Sequence, residues 1–433
     1  MFKNRNIRSA IESCMWEHLV NLMVTEAFLA AICKQVGVSD AVTGVVSSII
    51  AVSCAAQMFT GLVVKPGCSV KKRMMLFGPL NVFLFATLYI IPFLPFGSTV
   101  RVPLFVAMIV GAYIVLNVIF PVKYKWRLSF VEPGQRGRFS AANEMTSLMC
   151  GMVFTLSMSA VVDYFKGIGK ESVGFILCGV AIFAAAVMYW FALRRIDDMP
   201  PYETEAGDDW KQRLKSSFAL LAKNKNLRKL LGMDLIYQTA YYISIPFWGT
   251  YLIGETELGF TLTAVSLFGI LYNVARMALS PFIGRYADRK GYCKCLTLCL
   301  FLIMGSFLVR IFIVPGTRLL YAPAYALFAM SQAGIYSGLI NITYDYVGEK
   351  DFADAQGARN ALGGIVGFLV SLVGGVIVKA VQDRGNTLFG QTVYAQQVLS
   401  VISAVLIAGL IVYILLVIRP LKKLDSQTND LQK

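Results

Sequence analysis

Apolar stretches of about 20 residues, the length an α-helix needs to cross a hydrocarbon core, recur along the whole chain. Inside a bilayer every backbone N–H and C=O must find its partner within the protein, so only helices and closed barrels span it. A barrel would show short alternating strands in place of these long continuous runs. With 57% hydrophobic and 15% charged residues in 433, the chain also lacks the charged surface a soluble protein of this size carries. The fold class is therefore all-α integral membrane.

Apolar length and flanking charge place about twelve spans. Their limits are near 10–33, 39–62, 73–94, 101–122, 141–165 and 173–195 in the first half. In the second half they are near 227–253, 260–283, 293–315, 318–345, 356–381 and 394–419.

The net charge of +15 follows the loops rather than any nucleic-acid surface. One set of loops holds "KPGCSVKKR", "KYKWR", "QRGR", the stretch from Arg194 to Lys229, "GRYADRKG" and the tail after Arg419, and with the N-terminus this side carries roughly 70% of all Lys and Arg. The opposite loops are short and poor in both. The positive-inside rule puts that basic end, and both termini, in the cytoplasm of a multi-pass plasma-membrane protein.

Ile196 to Asn226 is the longest interruption, acidic in "DDMPPYETEAGDD" and then basic. In "WKQRLKSSFALLAK", Trp210, Leu214, Phe218 and Leu221 fall on one helical face, as in a helix lying on the inner leaflet. The expected organisation is a first bundle at 1–195, a linker at 196–226, a second bundle at 227–419 and a tail at 420–433. Small residues recur every fourth position in both fifth spans: Ser147, Gly151, Thr155 and Ser159, then Gly363, Gly367, Ser371 and Gly375. That spacing lets helix backbones approach closely in lipid. Its appearance at equivalent positions points to duplicated halves.

"GRYADRKG" resembles the loop signature of the major facilitator superfamily, G-x-x-x-D-x-x-G with basic neighbours: Gly284, Asp288 and Gly291 match, and Arg289 and Lys290 are basic. The corresponding first-half loop keeps Gly61 and its basic run but has Lys65 where the family has aspartate. "VEPGQRGRFSAANE", containing Glu132 and Arg136, is similar to the family's segment between spans four and five. The resemblance implies two pseudo-symmetric six-helix bundles around a central cavity lined by spans one, four, seven and ten. It implies a cytoplasmic gate in which Asp288 docks near the start of span five. Glu132 is expected to pair with Lys71, Lys72 or Arg73, and Glu349 with Arg289 or Lys290.

Several polar residues stand where polarity is expensive. A charge at mid-bilayer costs about 2.5–3.5 kcal/mol on insertion scales. At 100° per residue Cys14, His18, Asn21 and Thr25 form one stripe of span one, flanked by Glu17 and Glu26. Span seven carries Asp234, Gln238 and Tyr241, with Tyr237 beside them; span four offers Tyr113 and Asn117, and span ten Gln332, Tyr336 and Asn341. Two readings compete: a hydrated substrate path with titrating groups, or a buried network that only joins helices. The chain's single histidine, His18, suits proton coupling because imidazole titrates near neutrality; sodium stays open.

The expected function is a secondary active transporter that moves a small polar solute by alternating access, most simply as a monomer, without cofactor or metal. A multidrug exporter and a transporter-like sensor are the alternatives. Cys293, Cys295 and Cys299 lack the partners a zinc site needs. "GIGKES" has Tyr164 where a phosphate-binding loop needs its first glycine, and one mid-helix histidine is poor material for an enzyme.

Overall fold

The computed structural model describes residues 4–63, 68–132, 135–199, 210–347, 349–388 and 391–421. The described residues are helical almost throughout. It begins with α1 (Arg5–Leu22) and α2 (Glu26–Val36), then α3 (Asp40–Ser47), α4 (Ile49–Ser53), a 3-10 stretch at Cys54–Phe59 and α5 (Thr60–Val63). The longer helices α6 (Val70–Thr87), α7 (Ser98–Leu128), α8 (Arg136–Gly167) and α9 (Glu171–Arg194) follow. After α10 (Trp210–Lys223) come α11 (Lys225–Tyr242), α12 (Trp248–Ile253), α13 (Leu262–Lys290) and α14 (Tyr292–Arg310). α15 (Tyr321–Val347), α16 (Glu349–Gln382) and α17 (Ala395–Tyr413) complete the order, and α17 continues into a π-helical turn at Ile414–Ile418. One two-stranded antiparallel ribbon, Thr387–Leu388 with Gln391–Thr392, joins α16 to α17.

Among the described residues, eight helical stretches are long and apolar enough to cross a membrane. A bent pair, α1 with α2, makes a ninth. α6, α11 and α15 occupy three further predicted segments; α6 carries Lys71, Lys72 and Arg73 in its first turn, and α11 carries Lys225, Arg228 and Lys229.

Span one is not the continuous helix its apolar length predicts. α1 stops at Leu22 and α2 restarts at Glu26 with a bend of 49°, Glu26 itself adopting a left-handed φ of +47°. A break inside lipid is tolerated only where the freed backbone groups find partners. Here the Tyr89 hydroxyl donates to the Met23 carbonyl (2.6 Å) and the Tyr113 hydroxyl to that of Val24 (3.4 Å), while Thr25 Oγ1 donates back to Leu22 O (3.1 Å). Span seven breaks too. α11 ends at Tyr242 and α12 starts at Trp248, with a 3-10 turn between them holding Pro246, which has no N–H to continue a helix.

The chain forms two compact units. One comprises Met1–Trp210 together with Pro246–Gly269; the other comprises Lys211–Ile245 with Ile270–Lys433. In the first, Phe85, Phe105, Trp126, Phe175 and Tyr189 are large side chains with almost no exposure. In the second, Phe307, Leu300, Ile303 and Leu399 are equally enclosed.

The small-residue stripes mark where helices meet. A methyl group added at Gly151 of α8 would lie 2.7 Å from Leu22 and 3.3 Å from the His18 ring. One at Gly367 of α16 would lie 2.5 Å from the Tyr242 ring, and one at Gly363 would lie 3.3 Å from Gln238. So α8 admits α1 at Gly151, and α16 admits α11 residue for residue at Gly363 and Gly367.

Candidate functional site

The polar residues of the first unit sort into two groups. Glu17 is buried, and its carboxylate takes the Lys123 ammonium on one oxygen and the Arg127 guanidinium on the other, the latter at 3.0 Å. Lys123 and Arg127 are themselves buried on one face of α7, four residues apart. The cluster therefore holds two cations around one carboxylate. The hydroxyl of Tyr189 and Nε of Arg127 are buried with no hydrogen-bond partner. An ion pair in such surroundings persists only with good geometry, because both charges have left water.

The second group surrounds the break in span one. His18 packs on Gly151, while Asn21 buries an Oδ1 that has no partner. Thr25 and Glu26 stand at the restart of the helix, Glu26 exposed. Tyr113 and Asn117 lie on α7 and are buried in the first unit. The Asn117 amide donates to Ser53 Oγ (2.8 Å) and accepts from Gln57 (2.9 Å).

In the second unit Asp234 is buried against Arg359 of α16, whose Nε and Nη2 both donate to its carboxylate. A third guanidinium nitrogen reaches Leu339 O at 3.4 Å. One turn on, Gln238 lies against Gly363. The Tyr237 hydroxyl accepts from Gln332 at 3.4 Å. Tyr237, Tyr241 and Phe328 then form a chain of rings with centroids 6.1 Å apart at each step. Asn341 is half-buried, and the side chain of Tyr336 lies outside the described residues.

A third set of contacts belongs to the end away from the basic loops. The segment from Pro246 to Gly269 packs within the first unit. Phe247 lies so close over Gly44 that an added methyl would collide with its ring, and a methyl added at Gly249 would lie 3.0 Å from the Glu26 carbonyl oxygen. Asp163 accepts from the backbone N–H groups of Leu262 (3.1 Å) and Thr263 (2.7 Å). Glu255 faces Lys166 at 3.3 Å and Lys34 at 3.8 Å, and these lysines, Lys166 first, hold its carboxyl below the usual range.

The profile described as Major Facilitator Superfamily matches residues 18–371 and 230–432. The chain belongs to that superfamily. It is thus a membrane transporter and not an enzyme. The fold agrees with solved transporter structures. The nucleoside transporter NupG superposes with a TM-score of 0.69 at 15% identity, covering 97% of this chain and 100% of that one. An auto-inhibited POT family peptide transporter gives 0.70 at 12% identity and 98% coverage of both chains. A POT family transporter in complex with 5-aminolevulinic acid gives 0.65 at 12% identity, with 95% of each chain covered. No curated protein matches the chain.

The superfamily's loop signature takes a different form from the expected turn. "GRYADRK" is helical, the last two turns of α13, and Gly284 is an ordinary helical residue. Only Gly291, at φ +86°, turns the chain into α14. Asp288, Arg289 and Lys290 are exposed on that last turn. Glu132 accepts from Gln135 (2.9 Å), in place of the predicted pairing with Lys71, Lys72 or Arg73. The N-terminus of α6 is instead capped by Asp198, which accepts from Lys71 N (2.9 Å) and from the Ser69 hydroxyl. A carboxylate at a helix start complements the free N–H groups and the dipole. Arg136 begins α8 and is exposed, and the side chain of Glu349 lies outside the described residues.

Sequence reading missed Lys123, Arg127, Arg359, Tyr89 and Asp163. The first two looked like loop cations because α7 was expected to stop near residue 122, whereas it runs to Leu128. Their i, i+4 spacing was the available signal. Arg359 lies inside the span placed near 356–381, where a lone cation in an apolar run was the available signal.

Proposed function

We propose that this member of the superfamily is a secondary active transporter of a small polar organic solute. It works by alternating access across twelve spans in two six-helix bundles, in the plasma membrane, with both termini in the cytoplasm. One observation carries the reading. Spans one and seven, which head the two halves, both break partway, and each bears a buried carboxylate held by cations on its α1 or α11 part. Interrupted spans at corresponding places in two repeats are the common mark of a transporter's binding region.

The residues offered to the solute are Asn21, Thr25 and Glu26 beside the first break, and Tyr237, Gln238, Tyr241 and Gln332 along the second-unit helices. Amide, hydroxyl and ring groups together suit a polar organic molecule, in keeping with the nucleoside and peptide transporters whose fold the chain shares. Protons are the favoured driving ion. Protonating Glu17 or Asp234 would release Lys123 and Arg127, or Arg359, and so couple ion binding to helix packing. His18, packed against α8, is the third candidate.

The test is counterflow in proteoliposomes with nucleosides, short peptides and sugars, run with and without an imposed pH gradient. Accumulation of one class that follows the gradient is expected. His18→Ala and Asp234→Asn should alter its pH dependence; an unchanged profile in both would remove proton coupling through these groups, and no flux of any class would remove the solute assignment.

A further inference from the structure

At the basic end of the second unit, a cavity of about 320 Å³ opens between α13, α14 and the π-helical end of α17. Lys294 and Arg419 line it together with Tyr286, Leu298, Phe301 and Leu415, and none of the described residues lining it is acidic. On α14, Lys294, Leu298 and Phe301 recur at i, i+4 and i+7, so a cation heads a single apolar stripe. All three are exposed, while Cys295, Leu296, Cys299 and Leu300 turn inward.

α17 shows the same order from the opposite direction. Arg419 follows the exposed Leu415 and Val412 at the end of the span. The π-turn, closed by Arg419 N–H donating to Ile414 O at 2.8 Å, widens the helix where the cavity forms. Two spans thus bring a cation to the membrane edge and trail apolar side chains into the bilayer from it.

We infer that this groove binds an anionic glycerophospholipid of the leaflet on the basic side. The headgroup phosphate sits between Lys294 and Arg419, and an acyl chain lies along Leu298, Phe301 and Leu415. The complementarity is of charge at the rim and of apolar surface below, the arrangement by which basic pockets between spans hold anionic headgroups. A free phosphate would use the rim but leave the stripe uncovered, and a neutral lipid would use only the stripe.

The experiment measures thermal unfolding of the full chain in detergent with added phosphatidylglycerol, phosphatidylcholine or inorganic phosphate. Phosphatidylglycerol is expected to raise the midpoint where the other two do not. Lys294→Gln with Arg419→Gln should lose most of that rise. Leu298→Trp, which fills the groove and keeps both charges, should lose it too. Lys72→Gln with Arg194→Gln, exposed cations at the basic end of the first unit, should keep it. Where the Lys294→Gln/Arg419→Gln chain does not fold, Leu298→Trp decides. An equal response to phosphatidylcholine or to phosphate overturns the proposal. So does a full response in Leu298→Trp, or equal losses in the two double variants.

Discussion

Asp163 caps a helix that begins a hundred residues after it, accepting from the backbone N–H of Thr263 at 2.7 Å and of Leu262 at 3.1 Å. The donors are among those a helix start leaves without intrahelical partners. A carboxylate there gains both the hydrogen bonds and the favourable end of the dipole. Thr261 serves α13 from within, accepting from Ala264 N at 3.2 Å, so Asp163 acts as a second cap supplied by α8.

Asp163→Ala should therefore destabilise the chain by about 0.5–2 kcal/mol, the usual range for a lost cap. Asp163→Asn keeps an acceptor oxygen and should lose less. Thermal unfolding in detergent reads both. Equal losses in the two variants would show that packing, and not capping, is what Asp163 supplies.

Glu255 ties the same segment to Lys166 and Lys34. Its carboxyl is depressed below the ordinary glutamate value, so the folded state binds that proton less readily than the unfolded chain does. The pairing's contribution is complete above about pH 4.3, the unperturbed glutamate value, and is lost as pH falls through the depressed one. Hydrogen exchange across residues 246–269, corrected for intrinsic rates, should quicken over that acidic interval in the native chain and not in Glu255→Gln. At neutral pH Glu255→Gln should already show that same increase, and a small one, because the pair is exposed. A large change at pH 7 would contradict the exposed geometry.

Asp234 and Arg359 form the opposite case, a buried pair. Removing one partner strands the other charge, a loss of about 3–5 kcal/mol. Arg359→Met alone should unfold at markedly lower temperature. The double change Asp234→Leu with Arg359→Met should recover most of the stability, since apolar pairs of similar volume replace buried ion pairs at little cost. Under the proposed coupling, solute flux driven by a pH gradient fails in both. A double variant that is stable and still coupled would place the proton elsewhere.

The sequence made the membrane class and the small-residue stripes legible because each depends on local periodicity. Gly151 and Gly367 could be singled out from spacing alone, and they prove to sit against α1 and α11. The breaks were not legible in the same way. Met23–Thr25 carries no proline or glycine, and what allows the helix to stop there is remote: the hydroxyls of Tyr89 and Tyr113. Pro246 gave a local signal for the second break, hidden by the apolar run on either side. The ion partners of Glu17 and Asp234 lie 106 to 125 residues away in sequence, a distance that no local pattern reports. Asp198 capping α6 is a further example, since its nearest sequence neighbours suggested only an acidic linker.

Gly367 offers the sharpest test of the stripe, because the added methyl of Gly367→Ala would meet the Tyr242 ring at 2.5 Å. A contact that short forces the ring or the helix to move. Overpacking of this kind costs about 1–3 kcal/mol. Tyr242 also meets Tyr241 edge-on, with centroids 5.0 Å apart, so its ring cannot swing away without losing that contact. Gly367→Ala should thus lower the unfolding midpoint, and Tyr242→Leu in the same chain should restore part of the loss by vacating the space. Gly409→Ala, on α17 where an added methyl meets nothing within 4 Å, serves as the matched control and should show no such loss. If Gly367→Ala behaves like Gly409→Ala, close approach of α11 to α16 is not what the stripe provides.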